Sequence, residues 1–154
     1  MSIKFVGEHI AKLDDKGRLV FPSQLKALAE STGADKLRFV VRPASFRHCL
    51  EMLTYEEWVK ESERVLGAIN IYDEEGDAIW QFYTNNNAIV EPDEKTGRIQ
   101  IPKNMLDMID VRKEVVFVGR YYKIEVTAKE FYPAKALSTE EGIKLLNQKM
   151  SKSV

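Results

Sequence analysis

Apolar and polar positions follow the same order twice along the chain. In the first half, apolar residues at helical spacing in SQLKALAE (residues 23–30) lie between the segment LVFP and two strand-like runs, LRFVVR and CLEML. In the second half, KNMLDMID (residues 103–110) lies between IQIP and the runs EVVFVGR and KIEV. Apolar residues three or four positions apart indicate a helix, and short runs of β-branched residues indicate strands. Each half is therefore predicted to contain a turn, a strand, a helix and two further strands.

The turn before each helix is the most closely repeated segment. Gly17 and Gly97 are 80 positions apart (97 − 17), and the residues around them agree in register. The matching positions are Arg18 with Arg98, Leu19 with Ile99, and Pro22 with Pro102. Two copies are too few to stack as a solenoid, which needs at least three. The repeat predicts two related units packed about an internal pseudo-two-fold axis, as the two chains of a homodimer would be.

Helix starts are predicted after the last strand of each unit. Thr54-x-x-Glu57 and Thr127-x-x-Glu130 both have the spacing of a capping box. In that motif the threonine oxygen accepts from a free backbone N–H, and the glutamate accepts from the N–H of the threonine. A third box, formed by Ser138 and Glu141, predicts a C-terminal helix, whose apolar side we expect to dock on the body of the protein.

These patterns divide the chain into four segments. Acidic residues at 73–75 before an apolar face predict a connecting helix between the units. We expect a first unit with its trailing helix at residues 1–66, the connecting helix at 67–85, a second unit at 86–137, and a C-terminal helix and tail at 138–154.

Composition narrows the class of protein. The 154 residues are 44% apolar and 31% charged, which is an ordinary globular mixture. Neither a membrane helix nor the apolar core of a signal peptide is evident, and the single cysteine, Cys49, fits a reducing cytoplasm. A net charge of −1 argues against a diffusely basic nucleic-acid coat but leaves room for a local basic patch.

Catalytic and metal-binding patterns are missing from the sequence. It contains no P-loop, dinucleotide fingerprint or zinc spacing, and the acids of residues 73–77 do not follow a calcium-loop pattern. His48 and Cys49 are neighbours in a predicted strand, where adjacent side chains point to opposite faces and so cannot act as base and nucleophile. We therefore expect no enzyme activity, cofactor, metal or small-molecule substrate.

The repeated turn allows two interpretations. In one, it is a hairpin turn in which Asp14 and Arg18 form a surface ion pair across the bend, without a binding function. In the other, Asp14 orients Arg18 so that its guanidinium makes paired hydrogen bonds to a phosphate or to a guanine. Nearby lysines, at positions 12, 16 and 95, add positive charge, and two such loops on one face would bind DNA through several linked contacts.

The twin motif Asp-x-Lys-Gly-Arg-apolar-x-apolar-Pro, its spacing, and the segment IWQFYTNNNA before the second copy resemble the MraZ family of the AbrB-like, swapped-hairpin group. The resemblance implies an α+β fold with two β-rich AbrB-like units and peripheral helices. It also implies a cytoplasmic, nucleoid-associated transcription regulator, often a repressor of the division and cell-wall gene cluster. Such a protein binds short direct promoter repeats in double-stranded DNA as a ring-shaped homo-oligomer, and has no membrane partner.

Carried onto this sequence, the resemblance assigns DNA contact to two sets of residues. The first set is Asp14, Lys16, Gly17 and Arg18, with Lys12 beside it, and the second is Glu94, Gly97 and Arg98, with Lys95. The second motif departs from the first, because a glutamate replaces the aspartate and Thr96 stands at the lysine position. We expect the first loop to contact DNA more strongly. The alternative function is a protein-interaction or antitoxin-like module that uses the same loops.

Overall fold

The computed structural model describes residues 4–33, 36–133 and 136–152. Its strands are β1 (Glu8–Lys12), β2 (Leu19–Val20), β3 (Phe39–Pro43), β4 (Leu50–Thr54), β5 (Ala88–Val90), β6 (Arg98–Ile99), β7 (Glu114–Gly119) and β8 (Ile124–Ala128). Its helices are α1 (Ser23–Glu30), α2 (Tyr55–Ala68), α3 (Glu74–Thr84), α4 (Lys103–Met108) and α5 (Thr139–Lys152), and a 3-10 turn spans Lys129–Phe131. The fold is α+β, as predicted.

The two units exchange strands instead of folding side by side. One antiparallel six-stranded sheet has the order β1-β7-β8-β4-β3-β5, and β2 pairs with β6 in a separate two-stranded ribbon. The N-terminal strand of the first unit, β1, therefore pairs with β7 of the second unit. Likewise β5, the first strand of the second unit, pairs with β3 of the first unit. Each unit depends on the other to complete its sheet.

The strand registers place a pseudo-two-fold axis between the units, as the repeat predicts. Leu19 pairs with Ile99, its equivalent in the second copy. Glu51 pairs with Glu125, the central residue of the matching strand. Equivalent residues lie opposite each other only where a two-fold axis passes between them. The strand order shows the same symmetry: replacing each strand by its equivalent in the other unit gives the same order read from the opposite end of the sheet.

The core lies between the main sheet and the elements that carry the repeated turns. Phe21, just after β2, packs against Phe39 (ring centroids 5.1 Å apart) and Phe117 (5.7 Å). Leu25 of α1 and Met105 of α4 are buried against the same cluster, at equivalent places in the two units. The segments after the turns are thus anchored by buried side chains, while the turns themselves reach the surface.

Among the described residues, the predicted capping box of Ser138 and Glu141 forms in both directions, while at Thr54 the threonine cap forms without the return bond to Glu57. The N–H of Glu57 donates to Thr54 Oγ1 (3.3 Å) at the start of α2, and the N–H of Glu141 donates to Ser138 Oγ (3.1 Å) before α5. The predicted cap at Thr127 is wrong. Strand β8 continues one residue beyond it, so Thr127 is buried in the sheet and Ala128 precedes a short 3-10 turn without a side-chain cap. A proline two residues after that turn, Pro133, disfavours its extension into an α-helix.

The connecting helix is confirmed as α3, and Asp73 caps it by accepting from the N–H of Gly76 (2.6 Å). The C-terminal helix α5 also forms, but the expectation that it docks is wrong, because none of its described residues is buried. The division at residues 66, 85 and 137 stays a prediction. No helix among the described residues is long and apolar enough to cross a membrane.

Candidate nucleic-acid interface

The first loop, residues 14–18, is a tight turn organised by one carboxylate. Asp14 Oδ1 accepts from the backbone N–H groups of Lys16 (2.9 Å) and Arg18 (2.8 Å), while Oδ2 accepts from Arg18 Nε (2.9 Å). A backbone hydrogen bond closes the turn, in which the N–H of Asp14 donates to the carbonyl of Arg18 (2.9 Å). Gly17 has a φ of +76°, a conformation that a side chain disfavours. The predicted pairing of Asp14 with Arg18 is confirmed.

The second loop, residues 93–98, has the same plan but is one residue longer. The N–H of Asp93 donates to the carbonyl of Arg98 (2.8 Å), as Asp14 does to Arg18, and Gly97 again has a positive φ, of +69°. Asp93 Oδ2 accepts from the N–H groups of Lys95 (3.0 Å) and Thr96 (2.8 Å). The structural counterpart of Asp14 is therefore Asp93, and not Glu94 as the sequence alignment placed it.

The two loops meet because β2 and β6 pair directly. Val20 lies opposite Arg98, which brings the arginine of the second loop to the carboxylate of the first. Arg98 Nε lies 3.7 Å from Asp14 Oδ2, the oxygen that also binds Arg18. No ion pair joins Arg98 to Glu94 within the described parts of the chain. One acid therefore holds two half-exposed guanidinium groups side by side.

Further hydrogen bonds tie the loops together across the pseudo-two-fold axis. The side chain of Gln100 donates from Nε2 to the carbonyl of Lys16 (3.2 Å) and is 3.4 Å from that of Gly17. The N–H of Phe21 donates to the carbonyl of Gly97 (2.9 Å). These contacts fix the position of each loop relative to the other, so the spacing of the two arginines is set by the fold.

Electrostatics keep both loop aspartates ionised. Hydrogen bonding from the backbone N–H of Arg18 is the largest cause that lowers the pKa of Asp14 below its ordinary value of 3.8. Donation from the backbone N–H of Thr96 is the largest cause that lowers the pKa of Asp93 in the same way. At neutral pH each aspartate therefore organises its loop as an anion.

The predicted lysines occupy three different places. Lys16 and Lys95 are exposed within the first and second loops. Lys12 is exposed at the end of β1, opposite Glu114 in the strand register, and Glu94 is exposed in the second loop. The structure thus brings Asp14, Lys16, Gly17, Arg18, Gly97 and Arg98 together, with Lys12, Lys95 and Glu94 at the margin. Guanidinium groups held in one orientation make paired hydrogen bonds to phosphates and to guanine edges.

Other chemical groups in the described part of the chain do not form a competing site. Cys49 is buried, and burial raises the pKa of its thiol to about 11, so the thiol is protonated at neutral pH. His48 contacts Asp110 (2.9 Å) and not the thiol. No group of three or more His, Cys, Asp or Glu residues is placed to hold a metal ion within residues 4–33, 36–133 and 136–152.

Sequence reasoning missed the roles of Asp93 and Gln100. Asp93 lies four residues before its glycine, whereas Asp14 lies three before Gly17, and a strict alignment on the glycines conceals the equivalence. A hydrogen-bonding criterion would have found it, because an aspartate caps backbone N–H groups two or three residues ahead more readily than a glutamate does. Gln100 carried no signal in the sequence, since its partners belong to the other unit.

Comparison with known proteins identifies the family. No protein-family model matches the chain. Proteins called "Transcriptional regulator MraZ" are similar to it: that of Bacteroides fragilis is 33% identical over 128 residues, which are 83% of this chain and 79% of the relative. The one from Dictyoglomus turgidum is 32% identical over 149 residues, 96% of each chain, and the one from Christiangramia forsetii 33% identical over 130 residues, 84% and 81%. With this similarity over most of its length, the chain belongs to the MraZ family of transcriptional regulators.

Proposed function

We propose that this chain is a sequence-specific DNA-binding regulator, which binds double-stranded DNA through its twin loops. The observation that carries the proposal is the attachment of Arg18 and Arg98 to one carboxylate, at 2.9 and 3.7 Å from Asp14 Oδ2. Arg18, held by a hydrogen bond, and Arg98, held by a longer ion pair, present their donors side by side. Base edges in the major groove are read by such paired donors, each worth about 1–3 kcal/mol of discrimination.

The proposed target is a set of short direct repeats in the promoter of the division and cell-wall gene cluster, with repression as the outcome. Direct repeats suit a protein that presents the same pair of loops several times. Each pair contributes a modest affinity, and linkage of the pairs in one assembly multiplies their effect. A chain with a net charge of −1 then binds DNA well without a generally basic surface. The protein would act without catalysis, in the cytoplasm and at the nucleoid.

Self-association into a ring is part of the same proposal. Strands β1 and β5 form the two ends of the six-stranded sheet. They carry exposed isoleucines at equivalent positions, Ile10 (58% exposed) and Ile89 (56% exposed), four residues before Asp14 and Asp93. Exposed apolar side chains at two ends related by pseudo-symmetry favour head-to-tail contacts between chains, and such contacts can close into a ring.

A gel-shift titration tests the proposal. The probe is a duplex from the region upstream of the protein's own gene, and an unrelated duplex of equal length is the control, each at two salt concentrations. We expect tighter binding to the upstream duplex at both salts, with weaker binding overall at the higher salt. Equal affinity for both duplexes, or no binding to either, would overturn the proposal and favour a protein-interaction module that uses the same loops.

A further inference from the structure

Two clefts flank the loops and are equivalent under the pseudo-two-fold axis. The first-loop cleft lies between the first loop, α4 and the chain before β7. The second-loop cleft lies between the second loop, α1 and the chain before β3. Strand pairing establishes the match. Ala11, three residues before Asp14, pairs with Val115, and Val90, three residues before Asp93, pairs with Phe39. Counting back three residues from Val115 and Phe39 makes Arg112 of the first cleft the counterpart of Lys36 in the second.

The charges of these equivalent clefts are opposite. Four cations and three acids line the first-loop cleft, and its cations are Lys16, Lys103, Arg112 and Lys113. Two cations and four acids line the second-loop cleft, and its acids are Glu30, Glu91, Asp93 and Glu94. The pseudo-symmetry that makes the backbones alike therefore does not extend to the electrostatic surface beside each loop.

The pairing of these charges increases the difference. In the first-loop cleft, Asp107 is engaged by Lys103 (3.1 Å) and Asp14 by Arg18 (2.9 Å). Arg112 and Lys113 have no carboxylate within 4.0 Å among the described residues, and both side chains are exposed. In the second-loop cleft Lys36 is paired with Glu91 (3.1 Å), and among the described residues Lys26 is the cation there without a carboxylate within 4.0 Å. The first-loop cleft therefore has more unpaired cations than the second, beside one unpaired acid, Asp15.

The backbone places one of these cations next to the loop. The N–H of Leu13 donates to the carbonyl of Lys113 (2.8 Å), so Lys113 lies beside the residue that precedes Asp14. Asp110, a neighbour of Arg112 in the chain, is engaged by His48 (2.9 Å). Lys113 therefore adjoins the start of the first loop and lines the same cleft as Lys16.

We propose that the first-loop cleft is an additional phosphate-binding surface, in which Lys113 and Arg112 hold the DNA backbone, and that the acidic second-loop cleft takes no part. This inference rests on the proposed DNA-binding function and extends it. It makes the interface asymmetric although the loops are related by pseudo-symmetry. Contacts to phosphate carry no sequence information, so their loss weakens binding to every duplex alike.

The test compares two double variants that remove the same charge. Arg112→Ala/Lys113→Ala removes two of the four positive charges of the first-loop cleft, and Lys26→Ala/Lys36→Ala removes both positive charges of the second-loop cleft. Fluorescence anisotropy measures the affinity of each for the upstream duplex and for an unrelated duplex, over a series of salt concentrations. We expect the first variant to bind both duplexes about tenfold more weakly at about 0.1 M salt, with the slope of log affinity against log salt reduced by about 2. The second variant should change affinity by less than about twofold.

The possible results distinguish failure of the phosphate-surface inference from failure of the proposed DNA-binding function. Equal effects of the two double variants, or an unchanged salt slope for Arg112→Ala/Lys113→Ala, would overturn the inference and leave the proposed function standing. A wild-type protein that binds neither duplex would overturn both. The single variant Lys113→Gln removes the charge but keeps a polar side chain and the backbone hydrogen bond to Leu13, which guards against a folding defect. It should reduce the slope by about 1.

Discussion

The carboxylate of Asp14, in the first loop, lies 3.7 Å from the guanidinium of Arg98 in the second loop. The same oxygen binds Arg18 at 2.9 Å, while Asp93, which corresponds to Asp14, is turned toward the backbone of its own loop. The two copies of the motif have therefore diverged in role: one aspartate orients both arginines, and the other only shapes its turn. The consequences of this arrangement can be measured.

The stabilising effect of Asp14 should depend on pH in one direction. Because its pKa in the folded protein lies below the ordinary 3.8, its contribution is present above that value and is lost as the pH falls through the lowered pKa. The difference in Tm between wild type and Asp14→Asn should be constant above about pH 5 and should shrink below 3.8. Thermal unfolding followed by circular dichroism at several pH values measures it. A difference that grows toward low pH would contradict the assignment.

Gly17→Ala should destabilise the protein by about 1–2 kcal/mol, because Gly17 has a φ of +76° and a side chain is strained there. The added Cβ would meet Gln100 Nε2 at 3.6 Å, an ordinary contact, so the cost comes from the backbone. Gly67→Ala in α2, where a Cβ meets nothing within 4 Å, is the matched control and should be neutral or stabilising. Urea unfolding measures both, and equal effects would show that the turn is not strained.

Glu51 and Glu125 lie opposite each other at the pseudo-two-fold axis, and their substitution should have unequal costs. Glu51 pairs with Arg42, whose side chain is only 15% exposed, whereas Glu125 pairs with Arg47, which is 44% exposed. Removing Glu51 leaves Arg42, which is largely shielded from water, with Glu61 alone, and removing Glu125 leaves two cations, Arg47 and Arg120, that water can solvate. We expect Glu51→Gln to cost about 3 kcal/mol and Glu125→Gln about 1 kcal/mol in urea unfolding. The reverse order would contradict this account.

Assembly should be visible in sedimentation. The wild-type protein is expected to sediment at several times its chain mass of 17.7 kDa at micromolar concentration. Ile10→Lys should shift it toward the monomer, because the exposed isoleucine of β1 would become charged at an end of the sheet. Ile143→Lys, an equally exposed position on α5 outside the proposed contact, is the control and should not change the mass. A wild-type species of a single chain would argue against the ring.

The sequence alone predicted much of this architecture, and the omissions have physical causes. Helices α1 and α4 follow from apolar spacing, and the pairing of Asp14 with Arg18 follows from the turn. The exchange of β1 and β5 between units does not follow from the local pattern, which specifies that a strand forms and not which equivalent strand it pairs with. The second loop is one residue longer than the first, which concealed the match of Asp93 with Asp14. Strand β8 ends one residue beyond Thr127, which made the predicted cap there wrong.

The two arginines should contribute unequally to DNA binding. Arg18 Nε makes a hydrogen bond of 2.9 Å to Asp14, whereas Arg98 Nε is held only at 3.7 Å, so its direction is less restricted. Arg98→Ala should therefore weaken binding to the upstream duplex less completely than Arg18→Ala does. The comparison is made under the same salt conditions for both variants.

The affinity of Arg18→Ala for the duplex upstream of the protein's own gene tests the central claim most directly, measured beside wild type together with Tm and oligomer mass. The account predicts that preference for this duplex over an unrelated one is abolished, while Tm stays within about 3 °C of wild type because a surface ion pair adds little to stability. An Arg18→Ala protein that binds the upstream duplex as wild type does would contradict the account, since the first loop would then be only a turn.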